Sequence, residues 1–266
     1  MKKKGRFILF ALSEFGEWLK HNHFHRVIHL IQNHHTFIPD YSHFKGNNHF
    51  VLLDRMENAH FQRGFSEIAQ NLTTFPDGTI AVCRSLDKIP AGIKGANQNG
   101  ICLENVGNFD RGADTMSAAQ KEAIIQLNAL LCTKFGLTSH TDTIVYHHWY
   151  DLITGVRTNG SGTTKSCAGT NFFGGNTIEA AEAQFIPLIE QALSATVTSG
   201  THGYPPPLRT GEVTAFNLNV RIGPSASSRV VKTLPKGIIV PIFEERDGWY
   251  RIHPGEPHWV NGRYMR

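Results

Sequence analysis

Short apolar runs alternate with amphipathic stretches over most of the chain, and the alternation predicts strands and helices in turn. Phe7–Ala11 reads as a strand, after which Ser13 caps a helix over Glu14–His21 with acids in its first turn. Val27–Ile31 is again strand-like. Leu72–Phe75 and Ile80–Cys83 flank Asp77-Gly78, a hairpin-turn dipeptide. Ile101–Glu104 is a short strand closed by Gly107. Ser117 and Gln120 form a capping box before a helix that carries Ile124, Leu127, Leu131 and Phe135 on one face and stops at Gly136. Thr143–Tyr146 is β-branched and aromatic, as a buried strand requires. Ile178, Ala181, Phe185, Leu188 and Ile189 repeat at helical spacing, though Pro187 must kink or break that helix. The pattern is that of an α/β body with a mixed central sheet flanked by helices.

The last sixty residues change character. Val213–Ala215, Leu218–Arg221, Val230–Thr233, Ile238–Ile242, Trp249–Ile252 and Trp259–Val260 are short strands at close spacing, separated by turn signals such as Gly223-Pro224 and Asp247-Gly248. That spacing predicts a small all-β barrel. Three consecutive prolines, Pro205–Pro207, make a stiff spacer. The expected division is therefore a body over 1–200, a Pro-rich linker over 201–211 and a barrel over 212–266.

Charge sharpens this division. Residues 205–266 hold nine Lys/Arg against five Asp/Glu, whereas residues 1–204 hold 17 of each, so the formal net charge of +4 sits on the tail. A basic satellite on a neutral body suggests an anionic or polymeric partner held by the satellite. Nucleic acid fits poorly, because the body is neutral and the tail's aromatics suit a barrel core.

No apolar run reaches the roughly 18 residues of a spanning helix, so no membrane span is expected. The start imitates a signal peptide, but six apolar residues followed by Glu14 and Glu17 are too few and too soon interrupted. The four cysteines (Cys83, Cys102, Cys132 and Cys167) lack CxxC pairs and do not suggest a disulfide framework.

His is in excess, 15 of 266, and nine of the 15 lie between His21 and His60, which directs attention to metal chemistry. The tract at His21, His23, His25 and His29 receives no function. Two pairs, His34-His35 and His147-His148, each end an apolar strand-like run, where side chains reach the rim of a sheet. Two imidazoles with the Cys167 thiolate would make a tetrahedral zinc set with water in the fourth position. Such open coordination is the catalytic form.

Ordered stretches then carry a resemblance. They are Asn33–Thr36, Met56–Gln70, Pro76–Thr79, Ile93–Asn97, Gly100–Leu103, Val106-Gly107, Ile144–His148 and Lys165–Cys167. In this order and spacing, residues 25–190 resemble the zinc-dependent N-acetylmuramoyl-L-alanine amidases related to phage T7 lysozyme and the peptidoglycan recognition proteins. The resemblance implies zinc ligands at His34, His147 and Cys167, with His35 and His148 as their neighbours. It also implies an oxyanion-stabilising Lys165. Ala168-Gly169 replaces the family's Pro-Gly, and Gln70 stands where the family often has a catalytic Tyr. Gln is neither acid nor base but can donate a hydrogen bond. Glu104, on a strand that carries Glu in some wall-lytic members, is the candidate base. Glu67, expected on a helix surface, is the weaker alternative.

Leu218–Pro224, Val231–Gly237 and Gly248–Tyr250 resemble bacterial SH3 domains, over residues 212–266, with Leu218 and Val220 in the core and Asn219 and Arg221 outward. The two resemblances imply a peptidoglycan hydrolase that cleaves the amide between N-acetylmuramic acid and L-Ala with a zinc-activated water. They place its action on the bacterial wall, periplasmic or extracellular, or as a phage endolysin made in the cytoplasm. Two other readings stay open here: a peptidoglycan-binding protein without hydrolysis, and a cysteine peptidase using Cys167 and His147.

Overall fold

The computed structural model describes residues 1–198 and 207–266, so the first part of the expected linker, 201–206, lies outside the described residues. Contacts divide the chain into two units: Met1–Leu130 with Ser139–Glu190, and Leu131–Thr138 with Gln191–Arg266. Among the described residues no helix is long and apolar enough to cross a membrane.

In chain order the first unit runs β1 (Lys2–Lys4), β2 (Phe7–Phe10), α1 (Leu12–His21), β3 (Leu30–His35) and α2 (His49–Gln62). There follow β4 (Leu72–Thr74), β5 (Ile80–Val82), β6 (Gly100–Asn105), α3 (Ala118–Phe135), β7 (Ile144–Tyr146), α4 (Ile178–Gln184) and α5 (Ile186–Thr198); α3 from Leu131 and α5 from Gln191 belong to the second unit. The seven strands form one sheet in the order β1-β2-β5-β4-β6-β3-β7. β3, β4, β6 and β7 are mutually parallel where they pair, and the β1, β2, β5 side is antiparallel. This is the expected mixed sheet flanked by helices.

Strand alternation assigns the two faces. Asn33 points to the α3 face, where its amide exchanges hydrogen bonds with Asn128 (2.9 and 3.2 Å), both residues being fully buried. Gln32 and His34 therefore point to the α2 face. There Leu52, Leu53 and Met56 of α2 pack with Phe7, Leu9, Phe75 and Ala81. Because the Asn33 amide has no other side-chain partner among the described residues, Asn128→Leu should cost about 1–3 kcal/mol, read as a lower denaturant midpoint.

Local details differ from expectation. Ala11, not Ser13, is the N-cap of α1; Glu14 supplies the missing cap by accepting from the Ala11 N–H at 2.9 Å. Ser117 does accept from Gln120 N–H, but the Gln120 side chain donates to the Thr74 and Val106 carbonyls, tying α3 to the sheet rather than closing a capping box. The helix with Pro187 is broken at Phe185 into α4 and α5, as a missing N–H dictates. β1 was not foreseen, since three lysines carry no apolar signal; they suit an exposed sheet edge.

The second unit contains β8 (Arg209–Glu212), β9 (Asn217–Arg221), β10 (Val230–Pro235), β11 (Ile239–Ile242), β12 (Glu244–Arg246), β13 (Trp249–Arg251) and β14 (Trp259–Asn261). They form a five-stranded sheet, β10-β9-β14-β13-β12, and a β8-β11 pair, an SH3-like arrangement. β8 lies where the sequence predicts the end of the linker, and polar β12 was unforeseen. Leu218 and Val220 enter a core with Val213, Leu234, Val240, Ile252 and Val260, while Asn219 faces out.

Candidate metal centre and groove

The parallel pairing of β3 with β7 brings together residues far apart in the chain. Its register pairs Asn33 with Tyr146, so His34 and His147 come next, side by side at the C-terminal edge of the sheet. The strand includes both residues of the first pair: β3 ends at His35 rather than before His34. His147 begins a single helical turn after β7. His34 Nδ1 lies 3.2 Å from His147 Nδ1 and 3.5 Å from Cys167 Sγ. The three donor atoms all lie within 4.8 Å of one another.

This donor set fits a tetrahedral ion. Bond lengths of about 2.0–2.1 Å to nitrogen and 2.3 Å to sulfur give edges of about 3.3 Å between nitrogens and 3.6 Å from nitrogen to sulfur. Burial pushes His34 well below its ordinary value and His147 down to about 4, so both rings are neutral, as ligation requires. Burial, with Glu104 nearby, pushes the Cys167 thiol up. A thiol so placed is not a poised nucleophile, whereas a cation beside it would favour its thiolate.

The second member of each pair has a different task. His35 Nδ1 accepts from the Phe109 N–H at 3.0 Å. His148 donates from its backbone to the Cys167 carbonyl (2.6 Å) and through Nδ1 to the Lys165 carbonyl (2.7 Å), fastening the loop that carries Cys167 to the end of β7. Gly169 follows at φ 118°, and a Cβ there would meet the Phe109 carbonyl oxygen at 2.5 Å, so this turn requires glycine.

A groove of about 770 Å³ opens over the cluster. Its floor is His34, Glu104, His147 and Cys167, one wall is Met56, Ala59, His60 and Arg63 of α2 and the turn after it, and the lip is Phe37 and Ile38. Glu104 is paired in register with His34 on neighbouring strands, so both side chains face the groove. Glu104 Oε1 is 3.9 Å from His34 Nδ1, and Oε2 is buried without a hydrogen-bond partner among the described residues. Burial pushes the Glu104 carboxyl up to about 8, with Lys165 and Arg63 opposing. Lys165 lines the same groove, exposed at its mouth. Gln70 also lines the groove and is fully buried; its Nε2 donates to Thr73 Oγ1 at 3.0 Å, and its Oε1 has no partner among the described residues.

Glu67 departs from expectation. It lies beyond α2, is buried, and pairs with Arg6 (2.9 Å), Lys88 (3.1 Å) and Arg84 (3.7 Å), outside the groove. Three cations pair with it in a structural network. His60 lines the groove wall and accepts from Ala69 N–H at 3.1 Å. Gln32 and Gly92 carry no signal of their own in the sequence, yet with Cys102 they lie beneath His34; the alternation of β3 and β6 places Gln32 and Cys102 on that face.

A family profile described as N-acetylmuramoyl-L-alanine amidase matches residues 24–170, and one described as bacterial SH3 domain matches residues 217–266. The N-acetylmuramoyl-L-alanine amidase LysC from Clostridium intestinale URNW is a similar solved structure, with 21% identity and TM-score 0.41 over 56% of this chain and 80% of that one. Drosophila PGRP-LB is another, with 16% identity and TM-score 0.45 over 57% and 81%. No curated protein matches the chain.

Proposed function

The chain belongs to the N-acetylmuramoyl-L-alanine amidase family, and from that membership we propose that it is a zinc-dependent hydrolase of the amide joining N-acetylmuramic acid to the L-Ala of the stem peptide. The observation that carries this reading is the convergence of His34, His147 and Cys167 beneath a groove that Glu104 and Lys165 also line.

His34, His147 and Cys167 would hold the ion. Bound there, zinc supplies Lewis-acid polarisation of the amide carbonyl and lowers the pKa of water toward neutrality. Glu104 takes the proton of the attacking water at Oε2 and returns it to the leaving amine. Burial raises this carboxyl in the metal-free protein, and a cation held beside it would favour the ionised form that takes up a proton. Lys165 stabilises the negative charge that develops on the carbonyl oxygen. Gln70 donates a hydrogen bond at most.

In this reading the catalytic domain spans 1–200, the linker 201–211 and the wall-binding SH3 domain 212–266, with peptidoglycan as the partner of both domains. The protein acts on the bacterial wall, periplasmic or extracellular, or as an endolysin.

Mass spectrometry of digested sacculi tests bond, activity and metal together. Expected products are stem peptides with a free L-Ala amine and glycan with a free lactyl carboxyl, both lost on chelation and restored by zinc. Products that persist in chelator would overturn the metal requirement. Sacculi bound but uncut in both arms would leave a binding protein.

A further inference from the structure

We infer that Gln32 is a positioning residue that fixes the ring of His34 with its proton on Nε2, and that Gly92 is glycine to make room for that contact. The metal consequence of this inference rests on the function proposed above; the ring assignment does not.

Alternation along β3 places Gln32 on the same face as His34, one pleat deeper, where it is fully buried. Its orientation is set by the loop beneath. The Nε2 group donates to the Ala96 carbonyl at 2.9 Å and to Asn97 Oδ1 at 3.4 Å. Oε1 is thereby turned the other way, where it accepts from the Ile93 N–H at 3.1 Å and faces His34 Nε2 at 3.5 Å. Asn97 Oδ1 holds the same loop by accepting from the N–H groups of Gly92 (2.9 Å) and Ile93 (3.0 Å).

A neutral imidazole carries one proton, and the nitrogen that faces an oxygen acceptor is the one that keeps it. Nε2 of His34 is within hydrogen-bond reach of Gln32 Oε1, whereas Glu104 Oε1 stands beyond it at 3.9 Å from Nδ1, so the lone pair lies on Nδ1, the atom turned toward His147 and Cys167. Such an acceptor behind a ligating ring fixes both its tautomer and its orientation.

The space around this contact points the same way. A Cβ on Gly92 would stand 2.3 Å from Gln32 Oε1, 2.7 Å from Cys102 Sγ and 3.1 Å from His34 Nε2. Gly92 is not among the positive-φ residues, so lack of room alone excludes a side chain there.

Three variants of the full chain test the inference: Gln32→Met, which keeps volume and removes the acceptor, Gln32→Leu, and Gly92→Ala, which keeps every hydrogen-bonding group and intrudes on the contact. Ring 15N shifts of the metal-free protein should show His34 protonated on Nε2, with a mixture of tautomers in Gln32→Met. Competition with a chromophoric chelator should show zinc affinity reduced 10–100-fold in all three. The visible spectrum of the cobalt(II) form should also change, with the denaturant midpoint of the metal-free variants reporting folding separately. His34 protonated on Nδ1 in the parent protein, or a Gln32→Met form with parental tautomer, affinity and spectrum, would overturn the inference. A parent with the Nε2 tautomer that takes up no metal would overturn the zinc reading and leave the ring assignment standing.

Discussion

His34→Ala should abolish hydrolysis of sacculi and, with it, the stabilisation of the protein by zinc. In the parent, zinc at about a thousand times its dissociation constant should add about 4 kcal/mol to unfolding free energy, since the ion binds the assembled cluster and not its scattered residues. The variant retains two of three donors, His147 and Cys167, and these cannot complete a tetrahedral site from the protein side. Its unfolding midpoint should therefore no longer respond to zinc, and turnover should fall by at least about a thousandfold, measured as stem peptide released per protein. The removed imidazole is buried, so the metal-free variant is also destabilised; the comparison that decides is the zinc-dependent increment within each protein. Parental turnover in His34→Ala, or a parental zinc increment, would remove this residue from the metal centre. Retained turnover that alkylation of Cys167 stops would favour thiol chemistry, against the burial that holds this thiol protonated.

Much of this arrangement was legible because regular geometry sets it. Apolar and β-branched runs located β6 and β7, but β3 begins three residues later than the Val27–Ile31 run and extends through both histidines; parallel strands that end on one edge bring His34 and His147 together across 113 residues. Glu104 came from the family resemblance, and the strand pairing then sets it in register with His34. What escaped was set by tertiary context. Glu67 reads as a surface residue from its neighbours in sequence, yet Arg6, Arg84 and Lys88 arrive from distant segments to neutralise it. Ser13 is a good cap by type, but the chain turns two residues earlier and Glu14 takes over the exposed N–H of Ala11. The charged strands β1 and β12 carry no apolar alternation, because side chains at an exposed edge need none. Within each His pair, the direction of the side chains separates the ring facing the cluster from the ring that holds a loop, and sequence alone offers no vector.

Glu104→Gln separates chemistry from architecture more cleanly than any ligand variant. Gln keeps the shape and can still accept a hydrogen bond, but it cannot take a proton from water. Turnover should fall about 100- to 10,000-fold while zinc content and affinity stay near parental values. Parental turnover would move the base elsewhere, and loss of zinc would recast Glu104 as a support of the cluster. The metal-free protein offers an independent check with the opposite sign. The Glu104 carboxyl rises from 4.5 to about 8 because its burial penalises the charged form. The folded state therefore binds this proton more tightly than the unfolded state does. Its contribution to stability is fully present below about pH 4.5 and is lost as pH rises through about 8. Glu104→Gln has no such loss. In chelator, the variant should match the parent near pH 5 and exceed it at pH 9 by on the order of 2–4 kcal/mol, read from denaturant midpoints. A difference that stays flat over that range would mean that the carboxyl is solvated when the groove is open, and that its reach toward water in the loaded protein must come from another source.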